Sequence, residues 1–501
     1  MTSLTRKEIS IIGLLLLATF SIRVALVRLL PNDAPQDGPL YGQMARNLVE
    51  RHIYSQDSAP PYAPSLRRMP GYPLFIAGVY SVFGYDKTAV RIIQALLDTA
   101  TCAMIGMLAY LWDPEKRRRI SAAAAIALAA VCPFTAIYAA TILTETPAMF
   151  FAVTMTLAAS IALQATDQGK VLLWWAVSGV LAGFALLFRP DSGLFLLAIG
   201  LTLGVATLSS AGKSIWNRAT RTIYSGVVFS LAVVLMLMPW AIRNYRVFSL
   251  VQPLSPTHGE MPGEFLPNGY LAWVHTWIDD ARYVGPVIFT LNASPITITS
   301  IPDKAFDSSE EKLRVAALLA DYSHAVDVRE TGGRENNHAK AVAVMMTSEI
   351  DAGFAKLAGE RVSRNPFRFY VWLPLKRAGS LWFDTHSQYY PFQGELFPPN
   401  DLNQTTSDKF FLFCFAFLTL VYTLLGVMGA WFLWRSSQSK VRLFVLLAVL
   451  MILLRVSFFA AIERPEPRYV VELFPFLCVL GGVAVNRFTS RWTWRARQRV
   501  T

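Results

Sequence analysis

Charge is what this sequence has least of. Asp, Glu, Lys and Arg make up 16% of its 501 residues, where an ordinary soluble domain carries about 25%. Acids are the scarcer sign, 34 against 46 basic residues, which leaves a formal +12. Cysteine and histidine are also scarce, at 4 and 6. Cys102, Cys132, Cys414 and Cys478 all fall inside apolar blocks, where thiols read as small buried hydrophobes. No disulfide is therefore expected to staple a loop, and no Cys/His spacing suggests a metal cluster. There is no internal repeat and no low-complexity run.

What is present is long apolar sequence. Hydrophobic residues reach 54%, in blocks near the ~20 residues that cross a bilayer. They run approximately Ile9–Leu30, Thr88–Leu111, Ile120–Ala140, Pro147–Leu163, Val171–Phe188, Ser192–Leu208, Ile223–Ile242, Phe410–Trp434, Val441–Ile462 and Tyr469–Val485. The expected fold is an all-α polytopic membrane protein with about 10–13 spans. The first block carries Arg23 and Arg28 and lacks a small-residue cleavage site, so it reads as a retained anchor.

The basic residues set an orientation. Arg6 and Lys7, the Lys116–Arg119 run, Lys170, Lys213, Arg435, Lys440 and the arginine-rich tail all fall on one side if both termini are cytoplasmic. The +12 is thus a topology signal. Scattered over membrane-flanking loops, it forms no basic domain and speaks against nucleic acid as a partner. The chain divides into an N-terminal membrane module (1–242) containing a first outer loop (31–87), a large outer loop (243–409), and a C-terminal membrane module (410–501).

The first loop breaks the charge rule, with Arg46, Arg51, Arg67 and Arg68 outside. Anion binding explains that breach; arginines solvated at headgroup level are the plainer alternative. Leu40, Met44 and Leu48 recur every four residues, the stripe of a surface amphipathic helix that Asp37 opens. Arg67-Arg68-Met69-Pro70-Gly71-Tyr72-Pro73 then turns the chain. In the second loop, Glu310–Leu319 and Ala339–Leu357 read as helices. The aromatic stretch from Asn365 to Phe383 reads as lying at the membrane interface.

Further polar landmarks sit at outer span ends. They are Glu145 before Thr146-Pro147, Arg189-Pro190-Asp191, Arg243 after Pro239-Trp240, and Arg468-Tyr469. Each has a structural reading alone: Asp37 as an N-cap, Glu145 as a first-turn acid, the arginines as snorkelling residues. Asp98 and Arg455 lie inside apolar blocks, where an unpaired charge is costly. Their partners are not readable from sequence.

The order of these landmarks resembles the glycosyltransferase C superfamily. It is most similar to the bacterial branch that includes protein O-mannosyltransferases and lipid A aminoarabinose transferases, the family 39-like enzymes. The resemblance implies a membrane glycosyltransferase that moves a sugar from a polyprenyl-phosphate donor to an envelope acceptor. That acceptor would be lipopolysaccharide, lipid A, another surface glycan or a protein. It implies work on the outer face of the bacterial inner membrane, with inversion at the sugar. It casts Asp37 and Glu145 as the catalytic acids. Arg67, Arg68, Arg243 and Arg468 become candidates for the donor phosphate, and Tyr41, Tyr72, Arg189 and Tyr469 for substrate contact. Many relatives carry a second acid directly after the first; here that position is Gly38. No cofactor is implied with certainty, and a divalent metal stays open. Two rival readings remain: a secondary transporter, and a ligase or polymerase using lipid diphosphate donors.

Overall fold

The computed structural model describes residues 5–30, 37–209, 214–291, 296–335, 346–384, 390–392 and 405–498. Among these the chain is helical, with no strand. Among the described residues, nine helices are long and apolar enough to cross a membrane, or ten with one bent pair counted as a span.

Local chemistry sets the helix starts. Helix α1 (Arg6–Leu29) opens on a capping box: Thr5 Oγ1 accepts from Glu8 N, and Glu8 accepts from Thr5 N at 2.9 Å. After α2 (Asp37–Arg51) and α3 (Gly71–Phe83), α4 (Lys87–Trp112) starts behind Asp86, which accepts from Thr88 N at 2.7 Å.

The third apolar block differs from a straight span. It breaks into α5 (Arg118–Ala130) and α6 (Pro133–Ala139), bent by 63°. Pro133 has no N–H to continue the α5 ladder and suits the first turn of α6. A break at membrane depth frees carbonyls that lipid cannot satisfy. Other helices supply the donors. Arg23 Nη2 reaches Ala129 O at 3.0 Å, Arg91 Nε reaches Ala140 O at 2.5 Å, and Gln94 Nε2 reaches Thr141 O at 2.6 Å. Arg23 also pairs with Asp98, Nε to Oδ2 at 2.7 Å, with both side chains buried. That is the partner Asp98 lacked in the sequence.

Next come α7 (Glu145–Gln164), α8 (Gln168–Phe188), α9 (Gly193–Ser209) and α10 (Ile215–Phe248). The large loop holds α11 (Asn268–His275), α12 (Ser309–Glu335), α13 (Ser348–Arg364) and α14 (Leu373–Phe383). The expected Glu310–Leu319 helix falls inside α12; the expected Ala339–Leu357 helix starts only at Ser348, behind the Thr347 N-cap, and 339–345 lies outside the described residues. Tyr270, Trp273, Trp277, Val315 and Phe354 give this loop its own apolar core. Within the stretch expected at the interface, Arg377 is buried in the protein; it donates to Ile278 O at 2.7 Å, His275 O at 2.5 Å and Ala460 O at 3.4 Å.

Helices α15 (Thr406–Trp434), α16 (Ser439–Ala460) and α17 (Phe474–Gln498) complete the bundle. α17 sits in its middle, packed on both α15 and α5. Gly429 makes the first contact possible, because a Cβ there would overlap the Leu480 carbonyl.

Candidate functional site

Two charge clusters form at the end of the bundle that carries both long loops. The first begins with α2. Its apolar stripe packs inward: Met44 is fully buried with Tyr54, Met69 and Trp240, and Ala45 lies against Tyr72 and Ile76. That packing fixes Asp37 at the helix start. Its carboxylate faces two arginines, with Oδ1 3.2 Å from Arg68 Nη2 and Oδ2 3.0 Å from Arg468 Nη1. Arg468 in turn holds Glu466, Nε to Oε2 at 2.6 Å. Burial pushes the Asp37 carboxyl up, but Arg468 and Arg68 outweigh it and hold it below the usual carboxylate value.

Arg68 is placed by the turn that follows it. Tyr54 Oη donates to both Arg68 O and Met69 O at 3.0 Å. Gly71 lets α3 start against α8, since a Cβ there would come within 2.6 Å of Leu187 O. The Pro-Gly-Tyr-Pro corner is thus a close-approach device. Tyr72 Oη donates to Gln94 Oε1 at 2.7 Å, and Tyr41 meets the Tyr72 ring edge-on at 5.0 Å. Burial pushes the Tyr41 phenol up to about 12.

The second cluster is deeper. Arg189 binds Glu145 (Nη1 to Oε1, 2.9 Å), Asp191 (Nη2 to Oδ2, 2.9 Å) and Glu472 (Nε to Oε1, 3.1 Å). Arg455 binds Asp191 at 2.6 Å and Glu472 at 3.0 Å. Two guanidinium groups therefore serve three carboxylates. Tyr469 joins the clusters: its ring lies 5.4 Å from Arg189 Cζ and 5.3 Å from Arg468 Cζ.

The sequence candidates separate accordingly. Asp37, Arg68 and Arg468 meet; Glu145 and Arg189 meet; Tyr469 stands between. Arg67 turns away, donating to Gly259 O at 2.7 Å and pairing with Glu264 at 2.9 Å. Arg243 donates to Ser65 O at 2.8 Å and lies over the Trp240 ring. Both brace the two loops together. Sequence reasoning missed Glu472, which sits in the apolar Val470-Val471-Glu472-Leu473 run; an acid in such a run was the available signal. It also missed His258, whose Nε2 lies 3.0 Å from Glu463 Oε1 and which precedes Gly259 in the loop held by Arg67. Among the described residues, no group of three or more His, Cys, Asp or Glu is arranged to hold a metal.

Residues 64–240 match the family model described as dolichyl-phosphate-mannose-protein mannosyltransferase. The matched segment carries Arg67, Arg68, Tyr72, Glu145 and Arg189, while Asp37, Arg243 and Arg468 lie outside it. No curated protein sequence matches the chain. Among solved structures, the apo oligosaccharyltransferase of Archaeoglobus fulgidus aligns with a TM-score of 0.50 at 14% identity. The alignment covers 98% of this chain and 52% of that one, so this chain spans about half its length. ArnT from Cupriavidus metallidurans, bound to undecaprenyl phosphate, aligns at TM-score 0.39 and 14% identity over 97% of this chain and 79% of its own. At such identity the first likeness bears on the fold alone, and it agrees with the all-α membrane architecture.

Proposed function

We propose, from the match of residues 64–240 to the dolichyl-phosphate-mannose-protein mannosyltransferase family model, that this chain is a membrane glycosyltransferase of the glycosyltransferase C type. It takes a sugar from a polyprenyl-phosphate donor and passes it to an envelope acceptor. The reading sets the chain in the bacterial inner membrane, with both termini cytoplasmic and the Asp37 end outside. The observation that carries it is Asp37 lodged between Arg68 and Arg468.

Two arginine forks that hold a carboxylate present the donors a phosphate needs. A donor phosphate entering here competes with Asp37 for them. Once Arg68 and Arg468 turn to the phosphate, Asp37 loses the partners that depress its basicity. It then accepts the proton of an acceptor hydroxyl. The acceptor oxygen bonds to the anomeric carbon, the carbon–oxygen bond to phosphate breaks, and polyprenyl phosphate leaves onto the arginines. Attack opposite the leaving phosphate inverts the anomeric centre. Glu145, locked on Arg189 and within 3.5 Å of Thr144 Oγ1, serves as a second acid that orients this wall of the site.

The test is a transfer assay. Purified protein in lipid nanodiscs, given a panel of polyprenyl-phosphate sugars and an envelope extract, should release polyprenyl phosphate and label one extract component. Mass spectrometry of envelope glycans and lipids from a deletion strain should show the same sugar missing. No release with any donor, together with an unchanged envelope, overturns the reading.

A further inference from the structure

A separate pocket of about 400 Å³ lies at the foot of the large loop, between Trp277–Asp279 and the stretch from Asn365 to Lys376. Three cations line it, Lys304, Arg368 and Lys376, against one carboxylate, Asp279. Lys304 is committed to Asp279 and Asp280. Lys376 Nζ stands 3.6 Å from Asp279, too long for a strong pair, and its side chain is half exposed. Arg368 binds Asp307 at 2.7 Å through Nη1. The balance of the lining is positive, with Lys376 least committed.

An independent observation marks the wall. Trp277 is 1% exposed, and its indole Nε1 has no acceptor among the described residues. A buried donor left without an acceptor is costly, and this one belongs to a pocket-lining residue.

Phe367 and Trp372 line the pocket, and the stretch they lie on is apolar outside it. Phe367, Tyr370, Trp372 and Leu375 are 66%, 66%, 51% and 60% exposed, on the stretch that supplies Arg368 and Lys376. Exposed aromatic and aliphatic side chains interleaved with basic ones are the make-up of a segment at a bilayer surface. Arg377, one residue beyond Lys376, pins this stretch to the large loop at Ile278 O and to the end of α16 at Ala460 O. A ligand suited to this pocket would set a charged head among Lys304, Arg368 and Lys376 and an apolar body beside Phe367 and Trp372.

We propose that this pocket binds the headgroup of an anionic phospholipid and so seats the large loop on the bilayer. The phosphate lies with Lys376 and Arg368, headgroup hydroxyls reach Asp279 and Asn365, and the acyl chains run past Trp372. The site is distinct from the arginines at Asp37 and does not depend on the transferase reading.

Native mass spectrometry of the full chain released from detergent tests this. The probes are phosphatidylglycerol, phosphatidylcholine and soluble glycerol 3-phosphate. Phosphatidylglycerol should be retained at least tenfold more than phosphatidylcholine. The Arg368→Gln/Lys376→Gln variant should lose that preference while keeping the wild-type thermal midpoint in lipid-free detergent. Glycerol 3-phosphate should not compete, because it lacks chains to engage the rim. Competition at equal concentration would make this a site for water-soluble phosphates and overturn the lipid assignment. An undiminished preference in the double variant would overturn the site. Polyprenyl phosphate binding, read in parallel, should not change in this variant, which keeps this result separate from the fate of the donor site.

Discussion

Arg468 Nη1 lies 3.0 Å from Asp37 Oδ2 across 431 residues of sequence. The contact joins the first long loop to the start of the last membrane helix and completes a carboxylate held by two arginines. Without it, Asp37 and Arg68 would be one surface pair at a helix start, of a kind contributing about 0.2–1 kcal/mol.

Asp37→Asn keeps the size and hydrogen-bonding shape of the side chain but removes its proton-accepting capacity. Transfer should fall by about two or more orders of magnitude, the scale of lost general-base catalysis. Donor binding should hold or tighten, because the arginines lose their internal competitor. Near-normal turnover at saturating donor would move the base to Glu145.

The two adjacent arginines should separate. Arg68→Gln should weaken donor binding at least tenfold, and Arg68→Lys should restore only part, since lysine lacks the planar fork. Arg67→Gln should change donor affinity several-fold less, because Arg67 is spent on Gly259 O and Glu264. Equal losses from Arg67 and Arg68, measured by equilibrium binding of labelled polyprenyl phosphate, would contradict the geometry.

The deeper cluster predicts an asymmetry in stability. Arg455→Met leaves three buried carboxylates on Arg189 alone, and breaking a buried pair from one side costs about 3–5 kcal/mol. Glu472→Gln removes the surplus carboxylate instead and should cost about 1 kcal/mol or less, near a neutral hydrogen-bond change. Thermal midpoints in detergent should rank wild type close to Glu472→Gln and well above Arg455→Met.

Glu463 gives a pH signature. Burial pushes its carboxyl up, but the hydrogen bond from His258 and its own backbone bring it from 4.5 down to about 2. A depressed acid contributes stability that is present above its unfolded value and lost as pH falls through its folded value. Wild type should therefore be more stable than Glu463→Gln at pH 6, and the gap should close between pH 4.5 and about 2. A gap that stays constant down to pH 3 would show that Glu463 is not held by this contact.

Topology is checked by labelling. Single cysteines at Ser58 and Ser308 should react with an impermeant thiol reagent in intact spheroplasts, and one at Ser437 should not. Labelling at Ser437 alone would invert the protein and put the Asp37 end in the cytoplasm.

Much of this architecture was legible because its signals are local. Apolar block length gives the spans, and the Leu40, Met44 and Leu48 stripe gives α2 together with Asp37 at its start. Pro133 alone did not reveal the 63° bend, because a span tolerates proline only where other helices supply donors, and Arg23, Arg91 and Gln94 belong to other helices. Pairing was illegible for the same reason. Nothing near Asp98 names Arg23, and nothing near Arg67 says that it turns to Gly259 while Arg68 turns to Asp37. Glu472 was hidden by its apolar neighbours, whose hydropathy outweighs one acid in any window long enough to detect a span.

The central position of α17 has a consequence for timing. Asp37 and Arg68 leave the ribosome early, and Arg468 follows 431 residues after Asp37. At roughly 5–20 residues per second that interval is on the order of 20–90 s. A nascent chain spends it with its first loop already made and its carboxylate missing one of two partners. The helix that delivers Arg468 must then slot between α5 and α15, already threaded through the bilayer. The arginine pair around Asp37 is therefore completed late and all at once, with insertion of the final helix. A chain stalled before it would hold both residues of the first loop without the second arginine.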